Sequence, residues 1–229
     1  MRKAGLVSVA VAALFATGCT EYDSPEAREK RSVGLGGASS AEVRIEMGAG
    51  ELRIDGGAEG LLDGDFVYSG RERPEVRYDV SGGRGYLSVR QPPSRGLGKH
   101  THRWELRLND HSATDLRVHL GAGQVVMKLS GTALTRLEVD LGAGEINVDL
   151  TGPWDKDLEA TVRGGVGQAT VRLPRQVGVR VHASGGIGGV NASGLTRSGH
   201  EYVNEMYGKS PVTVRVHVTG GIGEINLIG

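Results

Sequence analysis

Cysteine is nearly missing from this chain: 229 residues contain one, Cys19. No internal disulfide can brace the fold, and no thiolate pair can hold zinc. Aromatic residues reach only 4%, so the apolar content lies mainly in Val, Leu and Ile. An excess of either charge is also missing. The 27 basic residues face 27 acidic ones, so no polybasic surface points to nucleic acid. After the N-terminus no stretch has a convincing helical period. What is plentiful is glycine, 38 of 229, against a usual share of ~7%. The glycines have no strict triplet period, which argues against collagen, and the Val, Leu and Ile between them argue against disorder. An all-β chain punctuated by glycine is the natural reading.

The N-terminus reads as a targeting segment. Arg2 and Lys3 precede an apolar stretch from Ala4 to Ala16 that ends in small residues, "ATGC", the layout of a secretory signal peptide. The stretch is too short for a comfortable membrane span, which needs ~20 residues. Leu14-Phe15-Ala16-Thr17-Gly18-Cys19 resembles the bacterial lipobox, with Ala16 where that motif usually has Leu. The resemblance implies cleavage before Cys19 and transfer of a diacylglyceryl group to its thiol, with acyl chains such as palmitate anchoring the protein to a bacterial membrane. Thr20–Ser40 is polar and charged and ends "GLGGASS", which reads as a flexible tether. The expected division is a signal peptide over 1–18, lipidated Cys19 and tether over 19–40, and one β domain over 41–229.

Within that domain one pattern recurs. "LRVHLGAGQVVMKLSG" (116–131) and "LEVDLGAGEINVDLTG" (137–152) are nearly the same sixteen letters. Copies of this pattern place Gly-x-Gly at Gly48/Gly50, Gly83/Gly85, Gly121/Gly123, Gly142/Gly144, Gly165/Gly167, Gly186/Gly188 and Gly221/Gly223, in steps of 35, 38, 21, 23, 21 and 35 residues. Apolar residues alternate on both sides, as in Leu137/Val139/Leu141 before the glycines and Ile146/Val148/Leu150 after them. Period two marks a strand with one buried face. Each unit is therefore strand, tight corner, strand, and units must stack to bury their apolar sides. The fold class expected is an all-β, single-stranded β-solenoid (β-helix). Glycine suits a stacked corner because it accepts positive φ and has no Cβ to collide with the rungs beside it. In the later copies Gly164, Gly185 and Gly220 replace the preceding apolar residue, which suggests a tighter stack or sharper bend there.

Candidate sites are few. The Gly-x-Gly corners lack the third glycine, helix and distant acid of a dinucleotide loop. "GLGKHT" (96–101) only echoes a phosphate loop. His100, His102 and His111 are spaced so that a metal is conceivable, but Asp110 and Glu105 are the sole nearby carboxylates, and solvated loop histidines are the expectation. Glu51, Gln124, Glu145, Gln168 and Glu224 follow the corners, with Asn147 and Asn226 two residues after Glu145 and Glu224, and Asn191 at the same place after the Gly186/Gly188 corner. Stacked rungs would bring these into a polar edge, read mainly as solvated side chains and amide ladders. Trp104, Trp154, Tyr202 and Tyr207 are expected in local core or caps. No nucleophile elbow and no paired-carboxylate signature stands out. No catalytic residue, metal or cofactor is assigned, and the ligand is left open.

The run Arg103–Gly152, with its Trp-initiated strand and tandem "LxVxLGAG" units, resembles the toast-rack domain of bacterial envelope proteins, and Val43–Gly70 resembles that family's N-terminal segment. The last third departs, with "GGVG" and "GGIG" in place of "LGAG" and an insertion over Leu195–Pro211. The resemblance implies a β-helix related to adhesin-like proteins, in the exported cell envelope, and carries over no catalytic residue. The expected function is a lipid-anchored, non-catalytic scaffold that meets an envelope protein or glycan; the alternatives are a carbohydrate-active β-helix enzyme and an accessory factor in cell-wall stress signalling. The chain ends "EINLIG" on a repeat strand. An uncapped solenoid end invites pairing, so either the insertion covers the last rung or two chains meet end to end.

Overall fold

A computed structural model describes residues 26–69, 72–93 and 102–229. These residues form fourteen strands in one continuous sheet, and no helix occurs among them. The all-β solenoid reading holds. Five long strands carry the repeat: β2 (Ser40–Ala58), β7 (Ala113–Lys128), β8 (Leu134–Asp149), β9 (Leu158–Arg172) and β14 (Thr213–Ile228). A sixth rung is split between β10 (Gly178–Ile187) and β11 (Val190–Ser193). Every rung bends at its Gly-x-Gly, so the stack has two arms, one before the corner and one after it.

The parallel register follows the repeat. Gly123 pairs Gly50 and Gly144, Gly144 pairs Gly167, and Gly167 pairs Gly223. Inward residues then meet in ladders such as Ile45–Val118–Val139–Val162–Val218 and Leu52–Val125–Ile146–Ala169–Ile225. Nearly all are fully buried, and the ladders merge into one core. A Cβ on Gly121, Gly142, Gly165 or Gly221 would overlap the carbonyl oxygen of the glycine one rung below. Gly123, Gly144, Gly167, Gly188 and Gly223 meet the same obstacle and also hold positive φ, +131 to +136°. The corner is an architectural device that only glycine satisfies.

The stack does not follow chain order. The spatial order is β2-β7-β8-β9-β14-β10, so the C-terminal strand lies between the fourth and last rungs. The terminal strand was expected to form the bare end; it is interior instead. The outermost rung is β10–β11, and the Leu195–Pro211 insertion covers part of it. β12 (Thr196–Ser198) and β13 (Glu201–Val203) form a hairpin that adds antiparallel to Arg180–His182 of β10. Asn204 fastens this cap: its side chain accepts from the Val179 N–H at 2.9 Å and donates to the Val177 carbonyl at 2.8 Å.

Three other expectations change. Part of the expected tether is a strand: β1 (Glu26–Val33) pairs antiparallel with β3 (Leu62–Ser69), which pairs β6 (His102–Asn109) against the second arm of β2. β1 reads as tether because it is an edge strand with little apolar content, and its charges are paired, as Arg28 with Asp65. Gly83/Gly85 is not a corner. Gly82 and Gly83 (φ +58° and +75°) turn a hairpin between β4 (Glu75–Ser81) and β5 (Arg84–Arg90), which lies along the first arm of β2. Gly164 and Gly185 do not mark tighter packing. At Gly220 a Cβ would meet Ile225 Cδ1 at 3.3 Å, a tight fit, but at Gly164 and Gly185 it would sit 3.9 and 4.0 Å from Ile146 and Ile225 Cδ1, ordinary contact. They leave a shallow hollow under the corner where Leu120 and Leu141 fill the earlier rungs.

Candidate functional site

The expected polar edge exists and is in register. Glu51, Gln124, Glu145, Gln168 and Glu224 succeed one another on the outer face of the second arm. Gln124 donates to Glu145 at 3.1 Å, Asn147 donates to the other Glu145 oxygen at 2.8 Å, and Arg103 pairs Glu51 at 2.9 Å. These contacts relieve the repulsion that stacked carboxylates ~4.8 Å apart would suffer. One step out runs a neutral row, Asn147–Thr170–Asn226–Asn191, in which Asn191 donates to Asn226 at 3.1 Å. Toward the corner the ladder continues as Ala49–Ala122–Ala143–Val166–Ile222–Ile187. Its apolar members stand in solvent, with Val166, Ile222 and Ile187 at 53, 51 and 71% exposure.

The outer face of the first arm is different. It is a lattice of ion pairs across rungs: Arg90–Glu46, Arg84–Asp115, Arg163–Glu138, Arg215–Asp157 and Arg180–Glu201 lie at 2.6–2.9 Å. Arg163 holds the Glu138 carboxyl below its ordinary range, and Arg180 does the same for Glu201. Asp157 is lowered by the Thr213 N–H and by Arg215. A face whose charges already satisfy one another offers little to a charged ligand.

The other candidates separate. His102 is buried at the start of β6 with Nε2 2.6 Å from Glu72, while His111 lies exposed beyond the other end of that strand. His100 and "GLGKHT" fall outside the described residues, as does Cys19 with residues 1–25. Asp110 accepts the Gly57 N–H at 3.0 Å. Trp104 is fully buried edge-on to Phe66, ring centres 5.4 Å apart, and Trp154 donates to the Leu150 carbonyl. Tyr202 packs on the core and Tyr207 is partly exposed, so the aromatics form no shared patch. Sequence reading missed the apolar corner ridge. Its signal was available in the change of the middle corner residue from Ala to Val and Ile.

The family model for Toast_rack_N, the N-terminal domain of toast_rack (DUF2154), matches residues 22–172. The chain belongs to the toast-rack family. The match begins ahead of β1, in agreement with that strand being part of the domain. The toast-rack chain is 33% identical to a "putative cell adhesion protein" from Clostridium sporogenes, covering 89% of this chain and 99% of that one with a TM-score of 0.83. Two further structures, each described as a putative adhesin, are from Bacteroides fragilis (11% identity, 89% and 97% coverage, TM-score 0.27) and Parabacteroides distasonis (12%, 90% and 98%, 0.26). At those scores they carry no weight. No curated protein matches the chain.

Proposed function

We propose that this toast-rack protein is a cell-envelope lipoprotein, held to a bacterial membrane through Cys19, whose solenoid is a non-catalytic module for meeting an envelope glycan or protein. The observation that carries the reading is the neutral row Asn147–Thr170–Asn226–Asn191 with its Glu/Gln neighbours, in register along the outer face, where Asn191 is exposed, Asn147 and Asn226 are half-buried and Thr170 is buried. Amide and hydroxyl groups repeated at rung spacing suit a partner rich in hydroxyls and amides. The similarity to a protein described as a putative cell adhesion protein supports an interaction role. The lipobox resemblance supports the anchor. With Glu26 already in the sheet, the seven residues from Cys19 to that strand reach at most ~25 Å, which would hold the domain close to the headgroups.

Two experiments test this. Cys19→Ala should move the protein from membrane to soluble fraction. Retention after high-salt washing would end the anchor reading. The Asn147→Lys/Asn226→Lys double variant should lower binding of the purified protein to isolated cell-wall sacculi at least tenfold. Unchanged binding would remove this face, and turnover of the glycan would favour a carbohydrate-active enzyme instead.

A further inference from the structure

The far end of the stack is built unlike its other boundaries. β10 and β11 have β14 on one side. On the other side β13 covers only Arg180–His182, and among the described residues β11 has no second neighbour. The rung is therefore open from Ala183 to Ser193. Along a strand, successive residues turn their N–H and C=O groups to opposite edges. The Gly189 and Ser193 carbonyls accept from Ile225 and Gly229 of the β14 side, so Val190 and Ala192 direct theirs away from the molecule. Ala183 and Gly185 do the same on β10, two and four residues beyond Val181 in its pair with Tyr202.

Free backbone groups in a row are a template for another strand, and proteins usually guard such edges. The other outermost strands here are guarded. β1 carries Glu26, Arg28, Glu29, Lys30 and Arg31, and β4 carries Glu75, Arg77 and Asp79. The open strand reads Val-Asn-Ala-Ser, with no charge and no proline. It is also where apolar surface accumulates. Ile187, the most exposed large hydrophobic residue among the described residues, ends the corner ridge. Ala192 is exposed on the core side, and Val190 and Leu195 are only partly covered.

We propose that this open rung is a self-association surface, and that two copies meet end to end across a two-fold axis through the Gly188 corner. The bend itself selects a second copy as the occupant. The first arm runs toward the corner and the second runs away from it. A two-fold axis bisecting the bend therefore lays β10 of one copy antiparallel to β11 of the other, twice. It brings the two Ile187 side chains together, making one apolar ridge that crosses both molecules. An uncharged edge meets its own copy with no like-charge contact, and an isologous contact of this kind closes at two. The cap hairpin ends at His182, which leaves the remaining β10 edge for a strand about as short as β11. The paired segments are short, so the interface falls at the low end of specific ones, roughly 1,200 Å² or less. The association should appear at tens of micromolar.

The test uses the full-length chain with Cys19→Ala, which leaves no native thiol and removes the anchor, so its result is independent of the membrane reading. In that background Ile187→Cys is compared under mild oxidation with Ala122→Cys, which occupies the same ladder in mid-stack. Sedimentation velocity between about 5 and 200 µM follows the unmodified surface and Ala192→Pro, whose lost N–H faces outward and serves no bond to β14. The expected result is a concentration-dependent dimer, cross-linked at least fivefold more at Ile187→Cys than at Ala122→Cys and abolished by Ala192→Pro. A monomer throughout the range, or equal cross-linking at the two cysteines, would overturn the proposal. So would a dimer that survives Ala192→Pro.

Discussion

Gly144 and Gly164 lie on neighbouring rungs and allow a matched experiment. At Gly144 φ is +132°, and an added Cβ would run into the Gly123 carbonyl. At Gly164 φ is unremarkable, and the added Cβ would meet Ile146 Cδ1 at 3.9 Å. Backbone strain at the first site costs about 1–3 kcal/mol. Relieving the overlap means parting two rungs and weakening at least two ladder bonds, each worth ~0.5–1.5 kcal/mol. Gly144→Ala should thus lose about 2–6 kcal/mol, a large share of the ~5–15 kcal/mol that holds a domain folded. Gly164→Ala removes glycine's excess freedom in the unfolded chain and fills part of a hollow, so it should gain up to ~1 kcal/mol. Urea unfolding of the purified chains, followed by circular dichroism, measures both. In thermal unfolding the first change is a fall of roughly 4–24 °C. A Gly144→Ala chain within 1 kcal/mol of wild type, or equal losses from both substitutions, would refute the account of the corner.

Other residues make separate demands. Trp104 is buried with its Nε1 unpaired; Trp104→Ala should lose about 3–5 kcal/mol, whereas Trp104→Phe, which also removes the unpaired donor, should lose less than about 2, both read from urea midpoints. Glu29 is lowered to about 2 by Arg73, with Arg31 assisting. A depressed carboxyl contributes stability that is complete above its unfolded value near 4.5 and lost as pH falls through about 2. Acid-unfolding curves of Glu29→Gln should accordingly be flatter than wild type in that window, and parallel curves would contradict the pairing. Asn204→Ala should free the β12–β13 cap and raise amide exchange at Val181 at least tenfold while leaving Val139 unchanged. Removal of Glu224–Gly229 should cost protection in β11 as well as in the second arm of β9, because β14 lies between them; loss in β9 alone would contradict the rung order.

Most of the rungs were legible because their information is local. Alternation names the buried face, and a glycine pair names the bend, so residues such as Val139 and Ile146 could be assigned to the core directly. What was not legible depends on partners distant in the chain. Nothing in "GGIG" at 220–223 distinguishes a strand that ends the stack from one that enters it between β9 and β10. Glu26–Val33 reads as solvated because its charges are satisfied by Asp65 and Arg73, residues supplied by other segments. Gly83/Gly85 has the corner's spacing, but Gly82 adds a second consecutive positive φ, and that pair favours a hairpin turn. The polar edge was predictable residue by residue once the register was granted. The corner ridge was equally available but passed over, since a single Val or Ile between glycines looks unexceptional until its neighbours are stacked.

The two outer faces place different limits on partners. On the first arm Arg84, Arg90, Arg163, Arg180 and Arg215 each already have a carboxylate within hydrogen-bonding distance, so a ligand must break a pair before it gains one of these, and exposed pairs of this kind respond to salt. On the second arm Gln124 and Asn191 bond sideways to neighbouring rungs and Asn147 bonds Glu145 on its own strand, yet an amide has more hydrogen-bonding positions than one such contact uses. A ligand there adds bonds without displacing any. The corner ridge between the faces contributes apolar area that no rung beside it can cover, since glycines flank each exposed Val or Ile. Polar recognition by the second arm and apolar contact at the last corner are therefore separable tasks. An Asn226→Lys substitution falls on the first and Ile187→Lys on the second, because the two residues occupy different rows of the ladder and have no hydrogen-bonded partner in common.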